Sequence, residues 1–245
     1  MTRLLAPHAG AYHDAFMSSP SPGIVATVMH NAYYADLETY VNALATELTV
    51  EYRTIVERGF VLQIDAPDLA LERHTLFADK PLAEFLAFAQ VVVAAINRAL
   101  SGLPSERVRL HVCWGNYEGA HDLDVALADV WPVIAQVKAG AVLIALANPR
   151  HCHEYHYFEQ GALDARTVLI PGVIDTTTNY VEHPEAVADR LLQVVRAVGD
   201  PTRVIAGTDC GFETSAGNSQ LAPEIVWAKL RALCEGAAIA SSRLA

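Results

Sequence analysis

Basic residues are scarce in this chain. Seventeen Lys and Arg stand against 28 Asp and Glu, a formal net charge of −11. Sequence-independent binding to nucleic acid or to an anionic membrane needs clustered cations, so that shortage argues against both. Long apolar runs are missing as well: AGAVLIALA falls far short of the ~20 residues that cross a bilayer. Cysteine is limited to Cys113, Cys152, Cys210 and Cys234, with no C-x-x-C pair. That excludes a disulfide framework and leaves thiols or metal ligands. No N-terminal stretch combines basic residues, an apolar segment and a cleavage site, so the expectation is a cytoplasmic protein. No G-x-G-x-x-G follows an early strand, which removes the dinucleotide fingerprint. Small molecules are the expected partners.

Apolar residues make up 52% and charged residues 18%, enough for a large core. Six apolar runs read as strands: 23–29, 60–65, 108–114, 141–147, 167–174 and 203–208. Most lack polar alternation, as in a parallel sheet covered on both faces. Between them, helical periodicity runs over roughly 35–58, 82–101, 122–138, 184–198 and 222–243. Repeated βα units favour a TIM (β/α)8-type barrel, yet six strands fall short of eight. Residues 1–22, rich in Pro, Gly and Ser, read as an N-terminal arm or loop. Residues 23–245 then form one barrel-type domain.

Active groups of a βα barrel sit at the carboxyl ends of its strands. Asp65, Asp68, His111, Cys113, Asn116, Asn148, His151, His153, Glu154, Asp175, Asp209 and Cys210 all fall there. His111 and Cys113, two apart on a strand, face one way. With Cys210 they offer one imidazole and two thiolates, a donor set suited to zinc with one position open. The competing reading is a core histidine beside an inert buried cysteine. Residues 147–159, ANPRHCHEYHYFE, hold a rival cluster of His151, Cys152, His153, Glu154 and His156. Asp65 can bind a substrate ammonium or orient a ligand histidine, or serve as a turn residue. Trp114, Tyr117, Tyr155 and Tyr157 are candidates for a pocket wall, and Cys234 for helix packing.

Five motifs occur in order: LQIDAPDLA, HVCWGN, NPRHCHE, GVIDTTTNYVEHPEAVADRL and GTDCGF. Together they resemble the catalytic domain of cobalamin-independent methionine synthase and its relatives, including the epoxyalkane:coenzyme M transferases. The resemblance implies a TIM barrel whose first two βα units have no counterpart here. It also implies Zn2+ held by His111, Cys113 and Cys210, and a substrate thiol that attacks an electrophilic carbon. Asp65, Asn116 and Asp175 correspond to substrate-binding positions. The family's zinc-binding glutamate falls at Ala145, which leaves Glu154 or His153 as possible fourth ligands. The implied activity is methyl transfer from a donor such as methyltetrahydrofolate to homocysteine or a related thiol. The alternatives are addition of a thiol to an epoxide, or a non-catalytic truncated relative. An incomplete barrel would expose apolar surface and favour a homo-oligomer.

Overall fold

The computed structural model describes residue 5, residues 10–214, residue 217 and residues 221–245. Six strands form one parallel sheet in sequence order: β1 (Phe16–Pro20), β2 (Val61–Asp65), β3 (Val108–Val112), β4 (Ala141–Ile144), β5 (Val168–Ile174) and β6 (Gly207–Thr208). The connecting helices are α1 (Pro22–Val28), α2 (Leu37–Glu57), α3 (Leu82–Ala99), α4 (Leu127–Ile134) and α5 (Pro184–Val198), with α6 (Pro223–Leu244) closing the chain. Among the described residues β1 and β6 do not pair, so the sheet is an open arc of six strands, not a closed eight-stranded barrel.

The first strand is not the expected one. Residues 23–29 lie largely in α1, and β1 falls inside the stretch read as an arm. A seven-residue apolar run carries no period that separates strand from helix. The local chemistry decides: the Ser21 hydroxyl accepts from Ile24 N at 2.9 Å, and Pro22 occupies the first turn. Other elements are shorter than their periodicity suggests, β3 and β4 ending at Val112 and Ile144. Helix α4 begins at Leu127 instead of near 122, and β6 keeps two residues because Pro201–Arg203 is a 3-10 turn.

Alternation along the strands sorts the two faces. Leu62, Ile64, Leu110, Val112, Val142 and Ile144 are buried in one cluster with Tyr52, Phe85, Val92 and Ile96 of the helices. Helix α3 is long and apolar enough to cross a membrane by length and composition, but Phe85, Val92, Val93 and Ile96 are spent on this core. The opposite face carries Gln63, Asp65, Arg109 and His111, in register between β2 and β3. This polar face ends at the carboxyl edge, where the loops converge.

Candidate metal centre

Strand β3 delivers His111 to the carboxyl edge, and Cys113 follows two residues on, on the same face. Cys210 arrives two residues after β6. One nitrogen of His111 and the two sulfurs all lie within 4.8 Å of one another, and all three residues are buried. Zinc bonds of 2.0–2.3 Å in a tetrahedron set ligand separations of roughly 3.5–3.8 Å, so this group needs little closure to receive the ion. The donor chemistry and spacing fit zinc.

The charges pair the three donors: Cys113 is held toward the thiolate and His111 toward the imidazolium, which would give up its proton on metal binding. His111 Nδ1 lies 3.1 Å from Asp65 Oδ1, and Nε2 lies 2.9 Å from the Asp209 carbonyl oxygen. Burial opposes charge on this imidazole, but its bonds to Asp65 and Cys113 prevail and push it up to about 10. The Cys210 thiol donates to the Cys113 sulfur; that bond, and the one from His111, hold Cys113 well below the ordinary thiol range. Cys210 is pushed up by the same bond and by burial. The site thus favours a thiolate, the form that binds metal.

A relay supports the histidine. Arg109 Nε donates to Gln63 Oε1 at 2.7 Å, and Gln63 Nε2 donates to Asp65 Oδ1 at 2.7 Å. Arg109 is held in turn over the Phe16 ring, 3.4 Å from its centroid. With Asp65 on Nδ1, Nε2 is the nitrogen that would turn to a metal, exchanging its contact with the Asp209 carbonyl oxygen for the ion in the carboxylate–histidine arrangement common around zinc.

Asp209 shapes the sulfur side. Its Oδ1 accepts from Ala147 N at 2.8 Å, and burial pushes its carboxyl up to about 7. A Cβ on Gly172 would stand 2.0 Å from that oxygen, so β5 passes Asp209 only because residue 172 has no side chain.

Ala145 lines the same cleft and offers no donor. Neither proposed substitute joins the group. Glu154 accepts from Leu127 N at 2.9 Å and pairs with His151, while His153 is exposed. The cleft holds about 300 Å³ and is lined by Trp114, Asn116, Tyr117, Asn148, Thr176 and Cys210 among others. Asn116 donates to Gly211 O at 2.9 Å and accepts from Thr176 Oγ1 at 2.7 Å, joining three loops around Cys210. Asp175 also lines the cleft, with Oδ1 taken by Thr177 N, Thr177 Oγ1 and Thr178 N.

The rival cluster does not assemble. His156 pairs with Glu159 at the surface, Cys152 is exposed, and His151 turns to Asp124. Tyr155 and Tyr157 pack against the core instead of the cleft. Cys234, expected in helix packing, is exposed. Sequence reading missed His74, His121 and Asp124, which lie between elements and carry no periodic signal. Only the folded loops bring them together.

Residues 22–228 match the family described as "Cobalamin-independent synthase, Catalytic domain". A methionine synthase from Pyrococcus furiosus is 28% identical over 193 residues, 78% of this chain and 48% of that protein. A 2-hydroxypropyl-CoM lyase from Xanthobacter autotrophicus is 26% identical over 64% of this chain and 47% of its own length. The chain therefore spans about half the length of these curated relatives. Among solved structures, a B12-independent methionine synthase from Shewanella sp. W3-18-1, in complex with selenomethionine, superposes with a TM-score of 0.74. It is 22% identical, with 93% of this chain and 62% of that chain covered, so it shows a shared fold. The match over 22–228 settles the relationship: this chain belongs to the cobalamin-independent synthase catalytic-domain family.

Proposed function

We propose that the chain is a zinc-dependent thiol alkyltransferase of the cytoplasm, with His111, Cys113 and Cys210 as the metal ligands. The observation that carries this reading is the convergence of one imidazole and two thiols within 4.8 Å at the carboxyl edge of the sheet. Bound there, zinc would lower the pKa of a substrate thiol and present its sulfur as the nucleophile. Ala145 on the cleft wall offers no donor, so a fourth position there would be left to a substrate thiol.

The protein's own residues do the rest. Asp65 fixes the His111 tautomer, and with its side chain 38% exposed it can also receive a substrate ammonium. Asn116 and Asp175 supply polar contacts on the far wall of the cleft. Trp114 and the loop it begins exclude water from the sulfur, which keeps a thiolate reactive. The preferred reaction is methyl transfer to homocysteine or a related thiol: the sulfur–carbon bond forms as the donor's carbon–nitrogen bond breaks. The proton released by the thiol balances the one taken up by the leaving amine. Similarity to the 2-hydroxypropyl-CoM lyase supports a second reading, in which a thiol opens an epoxide and the resulting alkoxide takes that proton.

Zinc content of the purified protein tests the centre. One ion per chain is expected in the wild type, with clear loss in Cys113→Ser and Cys210→Ser. A metal-free wild type, or full loading of Cys210→Ser, sinks the reading. Turnover of thiols with methylated folates and with epoxides then separates the two reactions. Loaded protein inactive with every pair would favour a non-catalytic relative.

A further inference from the structure

Away from the proposed metal ligands, a group of titratable side chains surrounds Asp124. Its carboxylate is fully buried, at 0% side-chain exposure, and meets three imidazoles. Oδ1 lies 2.7 Å from His74 Nδ1, while Oδ2 lies 2.9 Å from His121 Nδ1 and 2.7 Å from His151 Nε2. His74 follows β2, His121 and Asp124 follow β3, and His151 follows β4. Hydrogen bonds to Oδ2 therefore tie the loops after β3 and β4, while His74, from the loop after β2, stands against Oδ1 without hydrogen-bond alignment.

Each imidazole passes the restraint to the cleft wall. His74 Nε2 is 2.7 Å from the Tyr117 hydroxyl. His121 Nε2 lies 3.1 Å from the Tyr117 carbonyl oxygen, and the two rings stack with centroids 4.5 Å apart. His151 stacks on Trp114 at 3.7 Å, with its plane 11° away. Trp114, Tyr117, His121 and His151 all line the cleft that Cys210 enters. His121 also holds φ at +52°, a conformation a non-glycine residue keeps only when neighbours over-determine it.

We propose that Asp124 is a positioning residue: by gathering His74, His121 and His151 onto one buried carboxylate, it fixes the cleft wall of residues 114–124. The inference rests on the cleft described above but not on any metal in it.

His151 makes the wall sensitive to pH. Its Nδ1 faces Glu154 Oε2 at 3.3 Å and its Nε2 faces Asp124, so both bonds form only with the doubly protonated ring. Around this cluster stand His74 and His121 across Asp124, Glu72 beyond His74, the Tyr117 phenol against His74 and His121, and Arg150, whose guanidinium donates to Asp122 O. Burial disfavours charge on His151, but bonds to Asp124 and Glu154 overcome it and raise the imidazole above its ordinary 6.5. A raised folded value means that the restraint is complete below the ordinary pKa and is lost as pH rises through the folded one.

Hydrogen–deuterium exchange tests this directly. Protection factors of residues 115–123 would be compared in wild type and Asp124→Asn from about pH 6 to about pH 9. At the acidic end, the variant is expected to lose about tenfold of the loop's protection while β2 and β3 keep theirs. In the wild type, loop protection should fall as pH rises, and the variant's profile should be flat. Equal loop protection in both proteins overturns the proposal, as does loss spread evenly over the strands or a pH profile unchanged by the variant. If Asp124→Asn does not fold, His121→Gln removes a single hydrogen-bonded arm. Reduced loop protection in that variant supports the pin, and unchanged protection overturns it. Zinc content of the same samples keeps the two readings apart: a metal-free wild type refutes the metal centre, while the loop's exchange still decides the role of Asp124.

Discussion

Gly172→Ala places one methyl group where β5 passes Asp209. The new Cβ would stand 2.0 Å from Asp209 Oδ1 and 2.7 Å from Asp209 Cα. Ordinary contact begins near 3.4 Å, so the carboxylate oxygen must retreat by roughly 1.4 Å and the Asp209 backbone by roughly 0.7 Å. The backbone contact matters most, since rotating the Asp209 side chain does not relieve it. Cys210 is the next residue, so the retreat carries a proposed zinc ligand with it. Metal sites hold their distances to about 0.2 Å, so a shift of that size removes most of one thiolate's contribution. Overpacking should cost about 1–3 kcal/mol of stability, and zinc affinity should fall about 100-fold. Competition with a chromophoric chelator measures the affinity, and urea denaturation the stability. Gly23→Ala is the control: its Cβ would stand 2.1 Å from Asp68 Oδ2 and 2.7 Å from Val92 Cγ2, away from the metal group. It should lose stability and keep its zinc. Zinc affinity of Gly172→Ala within about threefold of wild type would refute the coupling of Gly172 to Cys210.

Two further perturbations probe the frame. Lys229 in α6 is fully buried and pairs with Glu182 at 2.9 Å, while the other Glu182 oxygen accepts from Asp175 N at 2.9 Å. Lys229→Met strands a carboxylate that is only 10% exposed, so urea denaturation should show a loss of about 3–5 kcal/mol. Adding Glu182→Gln should recover part of it; a single-variant loss below about 1 kcal/mol would show that the pair is not stabilising. Asp68 is buried beside Ser21, whose hydroxyl donates to Oδ1 at 2.5 Å, and burial pushes its carboxyl from 3.8 up to about 7. The folded state therefore holds a proton that the unfolded chain releases, and stability falls as pH rises from about 4 to about 7. The upper bound of that total loss is on the order of 4 kcal/mol. Asp209 titrates in the same window, so the diagnostic is the difference between wild type and Asp68→Asn. Parallel stability–pH curves for the two would refute the assignment.

Buried parallel strands announce themselves because both faces are apolar. That is why β2 to β5 and the helices between them were legible from composition and period. Segment 23–29 was not, because a short apolar run fits either element until Ser21 and Pro22 act as a cap. The candidate metal ligands were legible too. A same-face His–Cys pair at a strand end and a cysteine after the last strand define a donor set before any coordinates exist. The second cluster had no such mark: His74, Asp124 and His151 are up to 77 residues apart and sit in irregular loops. Their meeting depends on how three loops fold over one edge.

The sequence by itself determined the alternation of strand and helix, the acidic charge balance, and the placing of His111, Cys113 and Cys210 at strand ends. Those follow from side-chain chemistry and from local periods of two and 3.6 residues. Only the tertiary structure decided that the sheet stays an open arc, that Glu154 serves Leu127 and His151, and that Asp65 holds His111. Those depend on which distant segments meet, and hydrogen-bond geometry at an edge is set by the packed sheet beneath it.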